Sequence, residues 1–416
     1  MEFLELTPEE YDLFAKNHPQ ANFLQSLPQY EMKKKAGYEC YIVGAKENNE
    51  VIAASFLVGT SVLKIFRYFY AQRGILMDYE NQELVTFFMK ELKQFLKAKK
   101  ALYLKFDPYV RYQEHDKNGD IVVDGFENKQ VVTNLTQAGC LHGGFTTGFN
   151  DLSQVRWMMV LDLKEKTPDD LMQGMDQLRK RMIKKIDKGY VKVRELPLEE
   201  LELFANIVNQ TSERKGFYNR ELAYYTSLYE GFGSDRVKVP LAYLDLPMYL
   251  KSLEEIKEKE AQKIAKLTTQ LEKKPNEKIE KNIKAAEELV ALNQERIEEA
   301  KTLQASYGDQ LTLSTAFFIQ YGDEVLYLAG GSYAEYNKFN GPYAIQWYMM
   351  NYGIEHQYAR YNFYGTSGNF NQDASDYGVF TFKRGFNAVA EELVGDFYLP
   401  IRPTLFNLYN KKKHLV

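Results

Sequence analysis

The chain has 416 residues, of which 45% are hydrophobic and 14% aromatic, and 53 basic against 57 acidic residues give a formal net charge of -4. This length exceeds one ordinary hydrophobic core, so we expect two globular units and an additional element. The aromatic content excludes a disordered chain, and the acidic balance excludes a nucleic-acid binder held by overall charge, which leaves a local basic patch open.

The cysteine, histidine and motif content excludes several classes of site. Cys40 and Cys140 are the only cysteines, so we expect neither a disulfide framework nor a CxxC metal site, and a reducing cytoplasm. The five histidines form no pair at ligand spacing, and GxxxxGK[ST], HExxH, GxSxG and GxGxxG are absent. We therefore expect no metal and no cofactor. The first residues lack a basic segment and no apolar run approaches ~18 residues, which predicts neither secretion nor a membrane span.

The first 150 residues predict an α+β unit. Strands are expected within 41–57, interrupted by a turn at 47–50, and over 67–71 and 102–106, with an amphipathic helix over 84–96 between the last two. Beyond them, Asp116, Asn118, Asp120 and Glu127 have the spacing of a calcium loop. Position 6 is Ile121 where that loop requires glycine, so a hairpin turning at Asn118-Gly119 is favoured.

A confined basic segment spans 179–194, where Lys or Arg occupies 8 of 16 positions. Met172, Met175, Met182 and Ile186 are expected on one helical face. The other face carries the residues that we call the basic stripe: Lys180, Arg181, Lys184, Lys185 and Lys188. The basic stripe is suited to binding phosphates. The alternative is that it is a solvent-exposed helix face with no ligand. Farther on, Arg220 precedes Tyr224-Tyr225, and its planar guanidinium suits either a carboxylate or phosphate ligand or a buried ion pair.

The segment 251–304 predicts an antiparallel helical arm. It contains 12 basic and 12 acidic residues, and apolar residues recur at intervals of three and four on both sides of a break at 273–276 that contains Pro275. About 25 residues on each side give an arm of roughly 38 Å. Because both ends return to one place, 243–247 should lie near 307–309, and the arm over 246–307 is an insertion into a domain.

The region after the arm weakly repeats the first half. A hairpin is expected over 313–320 and 324–329, followed by a helix over 343–352 and a strand over 361–363. An offset of 257 positions superimposes Gly74 on Gly331 and Phe106 on Phe363. This period predicts two duplicated strand, turn, helix, strand units.

Eight short segments in one order resemble the FemABX family of non-ribosomal peptidyl transferases, and in length and arm its FemA/MurN type. The basic stripe is one of them, and the others are 69–74, 78–85, 106–109, 160–164, 360–368, 382–387 and 394–397. The resemblance implies an α+β fold with two GNAT-like (acetyltransferase-like) subdomains and an inserted antiparallel coiled-coil arm. Subdomain 1 would be 1–150 and bind the precursor, subdomain 2 would be 151–245 with 308–416, and the arm would be 246–307.

The resemblance also implies an activity. Family members transfer an aminoacyl group, here glycine, alanine or serine, from aminoacyl-tRNA to the lysine side-chain branch of a lipid-linked peptidoglycan precursor, building the interpeptide bridge. The implied partners are aminoacyl-tRNA, that precursor, the inner membrane surface through peripheral contact, and homo- or hetero-oligomeric family members.

The residues suit this chemistry. An aminoacyl ester is already activated, so an enzyme must deliver a neutral amine and stabilise the tetrahedral oxyanion, without a metal or a covalent nucleophile. Asp107 is the candidate that orients or deprotonates the ammonium group, and Lys383 the candidate that faces the oxyanion or the tRNA phosphates. By the match to family motifs, Lys33, Arg220 and Tyr364 are expected to bind substrate and the basic stripe to bind tRNA.

Two other classes stay open at this point. An acetyl-CoA-dependent GNAT N-acyltransferase would require a glycine-rich turn that donates backbone N–H groups to a pyrophosphate, for which Arg73-Gly74 and Gly330-Gly331 are the candidates. A non-enzymatic coiled-coil RNA-binding protein would require the basic stripe but neither Asp107 nor Lys383.

Overall fold

The computed structural model of the protein describes residues 1–150, 152–216 and 218–416. The elements up to 150 are β1 (Glu2–Glu5), α1 (Pro8–Asn17), α2 (Leu27–Lys35), β2 (Glu39–Glu47), β3 (Glu50–Val62), β4 (Phe66–Ala71), β5 (Leu76–Met77), α3 (Gln82–Ala98), β6 (Ala101–Phe106), β7 (Arg111–Glu114), α4 (Lys129–Gln137) and β8 (Leu141–His142). The strands and the helix predicted for this part are confirmed. The β2–β3 hairpin turns at Asn48 and Asn49, which both have positive φ, as a two-residue type I′ turn requires.

The remaining elements carry the arm in their middle. They are β9 (Trp157–Asp162), α5 (Pro168–Gly174), α6 (Gln177–Ile186), β10 (Val191–Glu195), α7 (Leu201–Lys215), α8 (Leu222–Phe232), β11 (Val237–Lys238), β12 (Pro240–Asp245), α9 (Leu246–Lys273), α10 (Glu277–Tyr307), β13 (Gln310–Tyr321), β14 (Glu324–Ser332), α11 (Gly341–Glu355), β15 (Arg360–Thr366), α12 (Tyr377–Gly385), β16 (Val389–Leu393), β17 (Phe397–Pro400) and α13 (Pro403–Lys413).

Two mixed sheets organise these elements. The first sheet has the order β1-β2-β3-β4-β6-β17-β8, and the second β10-β12-β13-β14-β15-β9-β16-β7. Each sheet contains a parallel pair joined through a helix, β4 with β6 across α3 and β14 with β15 across α11. The α+β class and the duplicated unit are therefore present. The glycines that suggested the repeat are not equivalent, because Gly74 follows β4 whereas Gly331 lies inside β14.

The two sheets exchange strands across the expected domain boundaries. β17, near the end of the chain, pairs with β6 in the first sheet, and β7, within the first 150 residues, pairs with β16 in the second. The division into 1–150, 151–245 and 308–416 therefore does not describe strand membership. This exchange interlocks the two subdomains, since neither sheet is complete without the other part of the chain.

The arm is a long antiparallel helix pair, as expected. α9 and α10 contact each other along their lengths and are joined by the break at Lys274 to Asn276. The Leu246 N–H donates to the Asp309 carbonyl at 2.9 Å, so both ends of the arm meet at the second sheet. The helices of 28 and 31 residues correspond to about 42 and 46 Å. Residues close to the base, such as Leu253 and Ile297, are buried, whereas the outer part is exposed.

Two local predictions have different outcomes. The hairpin at Asn118-Gly119 is confirmed by the bridge between His115 and Ile121, and Asp116 uses its carboxylate to accept the N–H groups of the turn. The continuous helix implied for 172–186 is instead two helices, α5 and α6, that are separated at Met175 and Asp176. The Asp176 side chain caps α6 by accepting the Arg179 N–H at 2.8 Å.

Across 1–150, 152–216 and 218–416, every helix is too short or too polar to cross a membrane.

Candidate active site

The candidate site is formed where β15 separates from β14 at the junction of the two subdomains. The strands pair only from Glu324 to Leu326 and from Arg360 to Asn362. β15 then contains a bulge between Asn362 and Gly365, where Tyr364 has a φ of +66°. This left-handed conformation is unfavourable for tyrosine, so the surrounding residues must hold it in place.

Two side chains hold the backbone of Tyr364. The Asn362 Oδ1 accepts the Tyr364 N–H at 2.7 Å. From α12, the Lys383 Nζ donates to the carbonyls of Tyr364 at 3.3 Å and of Gly365 at 2.5 Å. Burial lowers the pKa of Lys383 to about 7. The ammonium group has three N–H donors, so these two bonds leave one for another acceptor.

Asp107 lies at the end of β6 and forms a buried ion pair with Arg73. Its Oδ1 accepts the Arg73 backbone N–H at 3.1 Å, and its Oδ2 accepts from the Arg73 Nη1 at 3.0 Å. The two side chains are only 3% and 2% exposed. Burial raises the pKa of Asp107 to about 6, although the Arg73 charge opposes this shift. Arg73 also donates to the Val155 carbonyl at 2.6 Å and so ties the first sheet to the segment that follows it.

A polar network at the junction connects this ion pair with the bulge. The Arg73 guanidinium lies 5.7 Å from the ring of Tyr109, and the Tyr109 hydroxyl donates to Glu324 at 2.7 Å. Glu324 also accepts from Asn362 at 3.2 Å, and burial raises the pKa of its carboxyl. Arg73 and Tyr109 lie in 69–74 and 106–109, two of the segments that carry the family resemblance. Glu324 lies in none of these segments, and its role could not be predicted because its partners are distant along the chain.

Arg220 and Lys33 approach each other from different parts of the chain. The Arg220 guanidinium is exposed and lies 5.4 Å from the ring of Tyr218 and 5.6 Å from that of Tyr224. A buried ion pair of Arg220 is therefore excluded. Lys33, on α2, has a lowered pKa because of burial and the positive charge of Arg220. Two cations that face each other in this way favour an anionic ligand.

The structure brings five of the predicted site residues into one region. Burial raises the pKa of Tyr364, and the charges of Asp107 and Arg220 act on its hydroxyl as well. The charge of Arg220 acts on Lys33, and Lys383 bonds to the Tyr364 carbonyl. Tyr364 is therefore the centre of the region. Its hydroxyl donates to Gln154 at 3.3 Å, next to the small pocket that Arg73, Asp107 and Arg156 line.

A second cleft opens between β14 and α11. It is lined by Ser314, Tyr327, Gly331, Pro342, Gln346 and Phe382, the last being the neighbour of Lys383 on α12. Gly331 is required here, because a Cβ atom would lie 2.7 Å from the Ile207 carbonyl oxygen of α7. The cleft thus reaches α12 at Phe382, whereas the Asp107 pocket reaches the Tyr364 hydroxyl through Gln154.

The basic stripe lies beside this cleft. α6 is fastened to α12 by the Arg179 guanidinium, which donates to the Thr381 carbonyl at 2.5 Å, and by the Asp176 N–H, which donates to Gly385. Arg181, Lys184, Lys185 and Lys188 are exposed, and Lys180 donates to the Gln173 carbonyl at 2.9 Å. Lys188 lies in the turn beyond α6, so only the other four residues of the basic stripe lie on the helix.

Neither glycine pair forms a pyrophosphate cradle. Gly330 and Gly331 lie within β14, paired with β13. At the start of α11, Pro342 lacks an N–H and the Tyr343 and Ala344 N–H groups bond to the Asn340 carbonyl. Arg73 and Gly74 are separated from α3 by β5. The geometry thus disfavours acetyl-CoA binding of the usual kind.

Comparisons with known proteins agree with this architecture. The FemAB family model matches residues 6–414. Aminoacyltransferase FemA of Staphylococcus aureus (strain NCTC 8325 / PS 47) is 42% identical over 415 residues, which cover 99% of this chain and 98% of that protein. The crystal structure of FemX superimposes with a TM-score of 0.81 at 27% identity, covering 98% of this chain and 99% of FemX.

Proposed function

The chain belongs to the FemAB family and is an aminoacyltransferase, and from this premise we propose that it transfers glycine, alanine or serine from aminoacyl-tRNA to a peptidoglycan precursor. The acceptor would be the lysine side-chain branch of a lipid-linked precursor, so that the product extends the interpeptide bridge. The observation that carries this proposal is the Tyr364 bulge, which Lys383 holds and whose hydroxyl bonds to Gln154 in the lining of the Asp107 pocket.

The donor would enter from the side of the basic stripe. The exposed cations of α6 lie next to α12 and the mouth of the β14–α11 cleft, so phosphates of the tRNA can lie on α6 while the aminoacyl end enters the cleft. The cleft is narrow and lined mainly by small or apolar groups, which suits a small amino acid.

The acceptor would approach from the first subdomain. Lys33 and Arg220 supply two cations for the anionic groups of the precursor, and Tyr218 and Tyr224 supply flat surfaces for sugar or peptide groups. In this proposal Tyr364, whose hydroxyl feels the charges of Asp107 and Arg220, would contact the amine that attacks the ester.

Lys383 would stabilise the oxyanion. Two of its N–H donors are used by the Tyr364 and Gly365 carbonyls, and the third would face the developing negative charge. Because its pKa is about 7, the group is protonated below that pH and loses its charge above it. The rate should therefore fall on the alkaline side even though the attacking amine becomes more abundant there.

Asp107 has two candidate roles in this scheme. A carboxyl with a pKa of about 6 is a better base than an ordinary aspartate. Both of its oxygens, however, accept hydrogen bonds from Arg73. This favours a positioning role, in which Asp107 orients the Arg73 guanidinium and does not itself contact the ammonium group of the acceptor.

The reaction tests the proposal directly. The purified protein should be incubated with lipid-linked precursor and, separately, with glycyl-, alanyl- and seryl-tRNA, and the products weighed by mass spectrometry. We expect one of the three to add its residue mass to the precursor, and acetyl-CoA to add nothing. Acetylation without tRNA would favour the N-acyltransferase class. Tight tRNA binding with no transfer in any combination would favour an RNA-binding protein.

A further inference from the structure

A distinct surface lies where α13 packs on the end of the β3–β4 hairpin. Phe406 is buried 5.3 Å from the ring of Tyr103, and Val62 belongs to the same packed cluster. The Arg402 guanidinium lies 5.3 Å from the ring of Phe66. The hairpin end and the C-terminal helix are therefore continuous, and we call residues 62–66 and 402–416 together the α13 surface.

The α13 surface exposes aliphatic side chains on both of its segments. Leu63, Ile65 and Leu408 are 48%, 68% and 64% exposed, and Val416 is 44% exposed. The chain end is ordered against α13, because the Leu415 and Val416 N–H groups donate to the Asn410 side chain. Single exposed aliphatic residues are common, but a group of four on adjoining segments favours contact with an apolar partner.

The same surface is basic and contains no acid. Lys64, Arg402 and the run Lys411, Lys412 and Lys413 supply five cations, and neither segment includes Asp or Glu, in a chain whose net charge is -4. Lys411 and Lys412 follow the exposed Leu408 by three and four positions, so they share its outward side of the helix. Aliphatic groups surrounded by cations are typical of contact with an anionic lipid surface.

The α13 surface shares one face of the first sheet with the proposed acceptor site. Along β3, Ala54, Phe56 and Val62 have the same parity and so point to the same side. Ala54 and Phe56 pack with Leu27 and Tyr30 of α2, the helix that carries Lys33, whereas Val62 packs with α13. An acceptor at Lys33 would thus bind on the same face of the first sheet as α13.

We propose that the α13 surface binds the anionic bilayer in which the acceptor is anchored. The lysines would lie at the lipid headgroups, and Leu63, Ile65 and Leu408 would enter the boundary between headgroups and acyl chains. This inference rests on the proposed function only in that the acceptor is lipid-linked. A nucleic-acid ligand would use the cations but would leave these aliphatic side chains exposed to water, so a membrane is the better fit.

Co-sedimentation with vesicles tests the proposal. Wild-type protein should bind vesicles of phosphatidylglycerol and phosphatidylcholine, and bind pure phosphatidylcholine weakly. The Lys411→Gln/Lys412→Gln/Lys413→Gln variant should lose about 100-fold in affinity for the anionic vesicles, since each lysine near such a surface contributes about fivefold. The Leu63→Ser/Ile65→Ser variant should also bind more weakly, with the salt dependence unchanged. The matched control is Lys273→Gln/Lys274→Gln/Lys278→Gln at the arm tip, which removes three charges and should keep the affinity within twofold.

Transfer assays separate this proposal from the proposed function. With a water-soluble precursor that lacks lipid, the α13 triple variant should act as wild type, whereas with precursor in anionic vesicles its rate should fall at least tenfold. Absence of transfer by the wild type with both precursors would end the proposed function and leave the vesicle result standing. Wild-type protein that does not bind anionic vesicles, an arm-tip variant that loses as much affinity as the α13 variant, or an α13 variant that loses tRNA binding instead would each overturn the membrane assignment.

Discussion

The two duplicated units end differently at the same position. The offset of 257 that relates them places Asp107 on Tyr364, the residues that follow the core part of β6 and of β15. In the first unit the strand ends at Phe106, and the Asp107 carboxylate forms a buried ion pair with Arg73. In the second unit the backbone forms a bulge with a left-handed Tyr364 that depends on Asn362 and Lys383.

This difference shows how one scaffold can carry two tasks. In the first unit the charges of Arg73 and Asp107 are paired with each other inside the fold, which suits a rigid platform for an acceptor. The second keeps a strained residue and a buried ammonium whose pKa is near neutrality, and such features concentrate where chemistry takes place. We therefore propose that the reaction takes place at the second unit and that the first unit supports the acceptor.

The largest expected effect is the loss of Lys383. Lys383→Ala removes the proposed oxyanion donor and should lower the transfer rate by about 10²–10³, since that is the usual effect of removing one such donor. Val379→Ala, at an exposed position on the same helix, should leave the rate within twofold. A folded Lys383→Ala protein within a few-fold of wild type would show that the second unit does not hold the chemistry.

Tyr364 separates the contribution of the bulge from that of the side chain. Glycine adopts positive φ freely, so Tyr364→Gly should keep the bulge and remove only the ring. We expect Tyr364→Gly to lower the rate about 10- to 100-fold, and the loss of the packed ring should also lower thermal stability. Asn362→Leu leaves the Tyr364 N–H without its acceptor and should lower both, with about 1–3 kcal/mol of stability lost. Equal rates for Tyr364→Gly and wild type would mean that only the backbone matters.

Much of the fold could be read from the sequence, whereas the site could be read only in part. The arm was predictable because its apolar period extends over many turns. The exchange of β7 and β17 was not, since strands of four residues carry no usable period. Lys383 and Tyr364 could be named from their motifs. Their contact could not, because the left-handed conformation of a tyrosine depends on a lysine far along the chain.

Asp107 gives an intermediate effect and tests its role in the first unit. Asp107→Asn keeps an acceptor for Arg73 but removes the charge, and we expect a rate loss of about tenfold that does not vary with pH, as positioning requires. The pKa of about 6 in the folded protein lies above the value in the unfolded chain, so ionisation of Asp107 opposes folding. The contribution of Asp107 to the stability of the wild type should therefore fall as the pH rises from about 4 to 6. The variant should lack that slope in thermal melts. A rate loss that eases as pH rises would instead identify Asp107 as the base.

The smallest effects separate the basic stripe from the arm in tRNA binding. Replacing Lys180, Lys184 and Lys188 by Gln removes three potential phosphate contacts, and at ~0.7–0.9 counterions per contact the salt slope of binding should become shallower by roughly two to three. The arm over 251–304 has equal numbers of basic and acidic residues, so replacing it by a short glycine-rich link should leave the slope nearly unchanged. Both ends of the arm meet at the second sheet, so a short link can join them, but the deletion also removes the buried Leu253, Ile297 and Ala300 and should lower thermal stability. Transfer should nevertheless fall if the arm orients the tRNA or a partner subunit. A slope that becomes much shallower on arm deletion, and stays unchanged in the α6 variant, would mean that the phosphates lie on the arm.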